Sequence, residues 1–466
     1  MHKLKNIEDT IAAISTPAGT GGIGIVRLSG PESLNIAEKI FLSKTGKKVV
    51  QFKSFSVHYG WAIDKDNNNE IIDEVLLSVM RAPKSYTTED IVEISCHGGG
   101  VALRSILKAV INLGARLAEP GEFTKRAFLN GRIDLTQAEA VLDIINSKTD
   151  AFLKVSTHQL KGDLSLELES IREELMNIYT EIEAFVNFPE DEIDVQGKKN
   201  LMLDIESSKA RVDSLLSTSD QGRILKEGIK IVLCGRTNIG KSSLLNVLLK
   251  TPRAIVSDIA GTTRDTIEET TQINDIPFQI IDTAGILTPN NTIEQEAIKR
   301  SHDSIESSDL VILILDSSFP LSREDEDIIE NVKDKNVLVV LNKSDLENNL
   351  DEKRIRETFL NKNILKISAL NKIGIDGLKE AIVNFVLHGE TIKTDGIFIS
   401  NLRHIQSLQN GQKALMLAGK NLNREMSLEF VSESIKEAIN FLDEITGRNA
   451  NQDLLDKIFS QFCIGK

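Results

Sequence analysis

Residues Gly235-Arg236-Thr237-Asn238-Ile239-Gly240-Lys241-Ser242 combine glycines, a lysine and a hydroxyl at a spacing suited to phosphate chemistry. They follow a short apolar run, 229–233, and open an apolar stretch of helical character, 243–249. Strand, glycine-rich loop and helix form the context a phosphate-binding loop requires. The glycines let backbone N–H groups of Asn238, Ile239 and Gly240 close round a β-phosphate, with Ser243 following in the helix. Lys241 supplies a point charge to the β- and γ-phosphates, and Ser242 offers a hydroxyl to Mg²⁺.

Three further motifs follow, each at the end of an apolar run. Asp282-Thr283-Ala284-Gly285 ends 278–281, where a carboxylate can hold Mg²⁺ through water and a glycine N–H can face the γ-phosphate. Asn342-Lys343-Ser344-Asp345 ends 337–341. Asp345 can accept from the N1–H and the exocyclic amine of guanine, a donor pattern adenine lacks. Ser368-Ala369-Leu370 follows 364–367 and would bring a backbone N–H to the guanine O6. The nucleotide expected is therefore a guanine nucleotide and not ATP.

The elements that must carry these motifs divide the 466 residues into four stretches. Residues 1–130 read as mixed α+β, with strand-like runs at 23–28, 75–80 and 91–95 and a helix over 102–113. Residues 131–221 show helical spacing, first in Leu135, Ala138, Val141, Leu142 and Ile145, then in Ile171, Leu175, Ile178, Ile182 and Phe185. Pro189 and Glu190-Asp191-Glu192 interrupt that pattern before a helix over 201–216. Residues 222–388 hold the nucleotide motifs, and helical spacing returns over 389–466. The fold class expected is an α/β P-loop GTPase domain inserted into an α-helical domain, preceded by an α+β N-terminal domain.

Composition narrows the function classes. A formal net charge of −14 makes general nucleic-acid binding poor, so any RNA substrate needs a local patch or a basic partner. Cys96, Cys234 and Cys463 are scattered with no CxxC pair, which reads as no zinc site and a reducing, cytoplasmic setting. The apolar run 11–14 is too short for a signal peptide, and the longest runs are strand-sized, so no membrane span is expected. His97-Gly98-Gly99-Gly100 is similar to a lipase oxyanion loop, but without a G-x-S-x-G partner it reads as a tight turn between strand and helix. Cys234 reads as core, while no role is assigned to Cys96.

Three segments outside the nucleotide motifs carry a resemblance. They are Thr10-Ile11-Ala12-Ala13 with Gly21-Gly22-Ile23-Gly24-Ile25-Val26-Arg27-Leu28-Ser29-Gly30, then Pro120-Gly121-Glu122-Phe123-Thr124-Lys125-Arg126-Ala127-Phe128-Leu129-Asn130-Gly131, and the terminus Phe462-Cys463-Ile464-Gly465-Lys466. With the nucleotide motifs they resemble, over the whole chain, the MnmE (TrmE) family of tRNA-modifying GTPases. The resemblance implies a homodimer formed by the N-terminal domain, which also binds 5-formyl-tetrahydrofolate or a related folate. It implies a flavin- and NADH-dependent partner, MnmG (GidA), forming a hetero-oligomer. The pair would add an aminomethyl or carboxymethylaminomethyl group at C5 of the wobble uridine, U34, of certain tRNAs.

The resemblance also assigns residues. Ras-type GTPases place a water-orienting Gln directly after DxxG, where this chain has Ile286. The family uses a glutamate further on, which falls at Glu294. In place of an arginine finger, for which Arg253 and Arg264 are the nearby candidates, it uses K⁺. The ion is held by Asn238 and by a loop over Ser257, Asp258, Ile259, Ala260, Gly261 and Thr262, with Ser257, Ile259 and Thr262 as ligands. Thr263 fits the switch threonine that ligates Mg²⁺. Thr237, Ile239 and Ser257 depart from the family's usual residues without removing a needed side chain. Arg27, Glu93 and Arg132 match folate-contacting positions, and Lys466 is counted with them. Cys463 reads as a reactive group near the modification site, with Lys466 nearby to favour its thiolate, or as a helix-end cysteine before a glycine.

Two other classes fit parts of the pattern. A ribosome-assembly GTPase of the Era/Der type would need a basic KH domain or a second P-loop, and neither is legible here. A septin- or dynamin-like assembly GTPase accounts for the flanking helices but not for the glycine-rich N-terminal region.

Overall fold

The computed structural model describes residues 9–65, 67–187, 195–249, 268–282, 302–360, 362–387 and 396–466. The chain divides into two compact units: Met1–Leu142, Gln159–Lys209 and Asn410–Lys466 form one, Asp143–His158 and Ala210–Gln409 the other.

The first unit begins with a seven-stranded sheet. Its strands are β1 (Ile11–Ile14), β2 (Ile23–Ser29), β3 (Phe41–Ser43), β4 (Ser56–Asp64), β5 (Glu70–Met80), β6 (Ile91–His97) and β7 (Arg116–Leu117). The order is β3-β4-β5-β6-β2-β1-β7, antiparallel except for the parallel pair β1–β7. Successive side chains on a strand face opposite sides. Val26, Leu28, Leu77, Val92 and Ile94 therefore turn to a core shared with α1 (Ser33–Ile40) and α2 (Gly100–Asn112). Arg27 and Glu93 fall on the other face. The strands β3 and β4 have no counterpart in the apolar runs noted above, because β4 alternates polar and apolar residues and exposes Val57 and Tyr59.

After α3 (Glu122–Leu129), the helices follow in order: α4 (Leu135–Asn146), α5 (Asp150–Lys161), α6 (Asp163–Asn187), α7 (Val195–Ser217) and α8 (Ser219–Glu227). The break expected at Pro189 lies outside the described residues. The nucleotide sheet comes next, and a second helical run follows it. The α6 stripe Leu164, Leu168, Ile171, Leu175, Ile178 and Ile182 is buried. Arg172 of α6 pairs with Asp443, 271 positions away, at 2.6 Å. One helical bundle is thus assembled from both sides of the nucleotide-binding stretch.

The second unit is built on a six-stranded sheet of β8 (Ile229–Cys234), β9 (Glu268–Ile273), β10 (Ile276–Asp282), β11 (Leu310–Asp316), β12 (Val337–Asn342) and β13 (Ile364–Lys366). The order is β13-β12-β11-β8-β10-β9, parallel except for the β9–β10 hairpin. Every residue of β11 and β12 is buried, as expected of parallel strands covered on both faces. One face packs on α9 (Lys241–Leu249), the other on α10 (Arg323–Val332) and α11 (Glu352–Thr358). The α12 helix (Ile375–Leu387) shares the α9 side. Three more helices, α13 (Leu402–Asn423), α14 (Leu428–Thr446) and α15 (Gln452–Phe459), complete the chain. This is an α/β sheet with a glycine-rich loop after its β8 strand, inserted in sequence between helical segments and preceded by an α+β domain.

Candidate functional site

The strand order brings the nucleotide motifs to one edge. In a parallel sheet, the loops at the carboxyl ends of neighbouring strands converge. β8, β10, β11 and β12 end respectively in the glycine-rich loop, Asp282, Asp316 and Asn342. Gly235 sits at φ +147°, where a Cβ would come 2.5 Å from the Ile314 carbonyl oxygen, so only glycine allows the loop to leave the sheet so tightly.

Lys241 is buried, and its ammonium donates to the Gly235 carbonyl at 2.7 Å and the Arg236 carbonyl at 2.9 Å. Burial pushes its pKa below the ordinary lysine value, against the opposing pull of Asp282. Charge on an incoming phosphate would relieve that penalty. The Ser242 hydroxyl lies 3.4 Å from Asp282 Oδ2, while Asp282 Oδ1 is buried with no partner among the described residues. A hydroxyl beside an unsatisfied carboxylate oxygen is a donor set that fits Mg²⁺.

Asn342 is buried and works as a brace. Its Nδ2 donates to the Ile239 carbonyl at 2.7 Å, and its Oδ1 accepts from the Ala369 N–H at 3.0 Å. Lys343 donates to the Asn238 carbonyl at 3.2 Å and pairs with Asp316 at 2.7 Å. Burial would raise the Asp316 carboxyl, but Lys343 and Ser318 outweigh it and hold it below the usual carboxylate range. Ser344 N–H donates to the Ile367 carbonyl, which laces the two base-recognition loops together. Asp345 is exposed at their rim, Ser368 and Ala369 are buried, and Leu370 is 83% exposed. Sequence reading overlooked Asp316, although a carboxylate ending a wholly apolar strand is the same signal that marked Asp282. Ser257, Asp258, Ile259, Ala260, Gly261, Thr262, Thr263, Thr283, Ala284, Gly285 and Glu294 lie outside the described residues, as do Arg253, Arg264 and Ile286.

A second constellation forms in the first unit. Arg27 Nε donates to Glu93 Oε1 at 2.8 Å across the β2–β6 pair, and its Nη1 donates to the Gly465 carbonyl at 3.2 Å. The chain terminus is therefore seated beside the sheet. Ser15 Oγ holds the same carbonyl at 3.1 Å, Pro120 and Ile464 form an antiparallel bridge, and Gly121 N–H reaches the Cys463 carbonyl at 3.4 Å. Gly465 has φ +95°, and a Cβ there would stand 2.4 Å from the Ile14 oxygen. Arg27 lies over the Phe123 ring at 5.6 Å and Arg132 over the Tyr86 ring at 4.7 Å. Both rings pack on the small cluster of Ile11, Ala13 and Ala118. Cys463 is exposed and Lys466 half-buried. Cys234 is buried in β8, and burial lifts the Cys96 thiol to about 11.

Behind this face, Glu122 and Arg126 of the glycine-bounded segment are structural. Arg126 is 0% exposed and bonds Asp9, Glu89 and Glu122. Arg116 adds bonds to Asp9 and Glu122.

Comparison with known proteins adds the decisive observation. Residues 135–463 match the family model described as the MnmE helical domain, and residues 10–132 match that of the GTP-binding protein TrmE N-terminus. The tRNA modification GTPase MnmE of Desulforamulus reducens is 44% identical over 461 residues, covering 99% of this chain and 100% of the relative. The chain belongs to the MnmE family of tRNA modification GTPases. The MnmE of Clostridioides difficile is likewise 44% identical over 460 residues, covering 99% of this chain and 100% of that one. Identity over the full length sets aside the ribosome-assembly alternative. A solved structure of Aquifex aeolicus Era bound to GDP and AlF4⁻ is 29% identical over 41% of this chain and 67% of its own, with a TM-score of 0.29. As an MnmE-family member, the chain is a GTP-hydrolysing enzyme of tRNA modification. Among the described residues, no helix is long and apolar enough to cross a membrane, and no group of three or more His, Cys, Asp or Glu is placed to hold a metal ion.

Proposed function

We propose that this chain is the GTP-hydrolysing component of a system that adds an aminomethyl or carboxymethylaminomethyl group at C5 of the tRNA wobble uridine, U34. It acts in the cytoplasm as a homodimer with a flavin-dependent partner of the MnmG type. The observation that carries this reading is the seat of the terminus beside Arg27 and Glu93. It gathers two cations, a carboxylate, the half-buried Tyr86 ring and a thiol-bearing tail. A flat heterocycle with a carboxylate tail suits that donor set: Glu93 for the ring N–H edge with Arg27 beside it, Arg132 for a carboxylate, Lys466 at the rim. A folate bound there would supply the one-carbon unit. Cys463, exposed on the seated tail, is the candidate reactive group.

Self-association has support on the outward face of the first sheet. Leu42, Val57, Tyr59 and Leu76 are exposed there, and Tyr59 is paired with Leu76.

For hydrolysis, Lys241, Ser242 and the N–H groups from Asn238 to Ser243 hold the phosphates. Asn342, Lys343, Asp345 and the Ser368-Ala369-Leu370 loop hold the base. Ser242 and Thr263 would hold Mg²⁺, with Asp282 beside it, and the ion supplies charge neutralisation at the β- and γ-phosphates. Asn238 is exposed on the phosphate loop with φ +62° and offers its amide oxygen to K⁺, with Ser257, Ile259 and Thr262 completing the set. Ile286 cannot polarise water, so Glu294 orients it. The domain limits proposed are 1–130, 131–221, 222–388 and 389–466.

Nucleoside analysis of tRNA from a strain lacking this chain tests the whole reading: unmodified U34 is expected, and unchanged U34 would refute it. Hydrolysis should run faster in KCl than in NaCl at equal ionic strength, and equal rates would remove K⁺. Glu294→Ala should keep GTP affinity and lose turnover by roughly 10²- to 10⁴-fold.

A further inference from the structure

The chain has a formal net charge of −14, yet one helix of the bundle is free of carboxylates. From Leu402 to Arg424, the span of α13 and the residue after it, the sequence holds Arg403, Lys413, Lys420 and Arg424 and no Asp or Glu. The neighbouring α14 has the opposite character, with Glu429, Glu433, Glu437, Asp443 and Glu444 against Lys436 alone. A surface of one sign, set in a chain of the other, marks a place where charge has a use.

Packing decides which α13 side chains face outward. A Cβ on Gly411 would stand 3.8 Å from Phe441 Cβ of α14, and one on Gly419 would stand 3.4 Å from the Met202 methyl of α7. Ala414, Leu415, Ala418 and Leu422 are buried on the same inner side. Lys413, Lys420 and Arg424 lie at i, i+7 and i+11 and are all exposed, so they form one outward stripe. At the helical rise they are spaced about 10 Å and then about 6 Å along the axis. Met416 and Leu417, 55% and 45% exposed, lie between them. Lys198, one turn before Met202 on α7, is a further exposed cation beside this contact.

The stripe is not arranged for the stability of the helix. Among the described residues, Lys198, Lys413, Lys420 and Arg424 make no ion pair. Helix surfaces gain from opposite charges four residues apart. Four residues either side of Lys413 stand Gln409 and Leu417, and either side of Lys420 stand Met416 and Arg424. The Arg424 N–H still donates to the Lys420 carbonyl, so these two like charges sit one helical turn apart, where they repel. The helix dipole favours cations in a last turn, which accounts for Lys420 and Arg424 but not for Lys413 or for the missing carboxylates. Glu425 beyond the helix and Glu206 on α7 leave the face net positive. A bound polyanion would turn that repulsion into attraction.

We propose that the outward face of α13, with Lys413, Lys420 and Arg424 as its contacts and Lys198 at its flank, docks the sugar–phosphate backbone of tRNA. This rests on the reading that a tRNA is the substrate and names where the chain holds it. Lysine ammonium groups and an arginine fork donate to phosphate oxygens. Met416 and Leu417 give the intervening ribose an apolar seat. Such contacts fix the position of the RNA without reading its sequence, and they release counterions as they form. The local patch that an acidic chain needs for RNA is thereby supplied by one helix.

The test measures binding of bulk tRNA to the full-length chain from about 50 to 200 mM salt. The variant Lys413→Gln/Lys420→Gln/Arg424→Gln should weaken binding by about 10- to 100-fold at the low end and reduce the slope of log K against log salt by roughly 2–3. Lys413→Arg/Lys420→Arg keeps the charge and should bind as wild type. Lys65→Gln/Lys108→Gln/Lys353→Gln makes the same charge change elsewhere and should also bind as wild type. Melting temperature and GTP hydrolysis should be unaltered in all three, because exposed unpaired side chains contribute little to either. Wild-type affinity and slope in the α13 variant, or an equal loss in the control variant, would overturn the surface. Loss of flavoprotein binding with tRNA affinity intact would overturn it too and give the face to an acidic protein. A wild-type chain that binds no tRNA at the lowest salt would also overturn it, while nucleoside analysis of U34 decides the tRNA reading separately.

Discussion

The nucleotide edge and the N-terminal sheet face are built in opposite ways. At the nucleotide edge each functional residue ends its own strand, so one parallel sheet aligns them and local sequence carries most of the information. Asn342 and Lys343 only brace loops that each strand already delivers. On the N-terminal face the key contacts join residues 66 and 438 positions apart, Arg27 to Glu93 and Arg27 to Gly465. The first kind of site tolerates a loosened neighbour. The second exists only while distant segments remain docked, so changes in packing should strike it first.

Four changes put that contrast under strain, taken from the largest expected effect to the smallest. Arg126→Met leaves the carboxylates of Asp9, Glu89 and Glu122 without their buried partner and should cost about 3–5 kcal/mol of first-unit stability, read by thermal or denaturant unfolding. Its pH signature is defined. Burial would raise the Glu122 carboxyl, but Arg116 and Arg126 outweigh it and hold Glu122, like Asp9, below the ordinary carboxylate value. A depressed folded-state pKa gives stability that is present at neutral pH and lost as pH falls below the ordinary values of 4.5 and 3.8. The variant should show a shallower loss over that acid range. If its unfolding and acid limb match wild type, the network is decorative.

Next in size is Lys241→Ala, expected to slow GTP hydrolysis by about 10²- to 10³-fold. Folate binding by the same protein should not change, and a parallel loss there would mean the two regions are not separable. Gly465→Ala should do the reverse. Its φ of +95° costs a side chain roughly 1–2 kcal/mol, and the Cβ would meet the Ile14 oxygen, so folate affinity should fall by about tenfold with hydrolysis intact. Calorimetric titration with the folate measures it, and unaltered affinity would separate the tail from the site. The smallest effect belongs to Asp316→Asn. It removes the charge that orients Lys343 toward the phosphate loop and should weaken GDP binding by only a few-fold, about 1 kcal/mol or less. A much larger loss would show that bracing carries more of the nucleotide edge than strand-end delivery does.

Legibility followed the same divide. Strands 229–234 and 337–342 were readable because parallel strands covered on both faces are continuous apolar runs. The α6, α13 and α14 helices were readable from their 3.6-residue period. Strand β4 was not, since a strand with one open face mixes Ser56, His58 and Tyr59 with Val57 and looks like neither pattern. The segment 120–131 stood out as a motif, but its purpose did not. Only in the structure does Arg126 prove to be a buried hub joining Asp9, Glu89 and Glu122, three segments whose proximity no spacing reports. Asp73 was silent for the same reason: its partner, His97, lies 24 positions away on the neighbouring strand.

Local order along the chain determined the guanine-nucleotide chemistry, because phosphate loop, carboxylate and base-recognition motif each need only a strand before them and a turn after them. It also determined that helices flank the sheet on both sides. Tertiary structure alone decided that Arg172 would meet Asp443 across the insertion, that Gly465 of the tail would lie against Arg27, and that His97 would be gripped by Asp73. Those contacts depend on strand register and helix docking, which follow from the burial of whole faces and are not a property of any short segment.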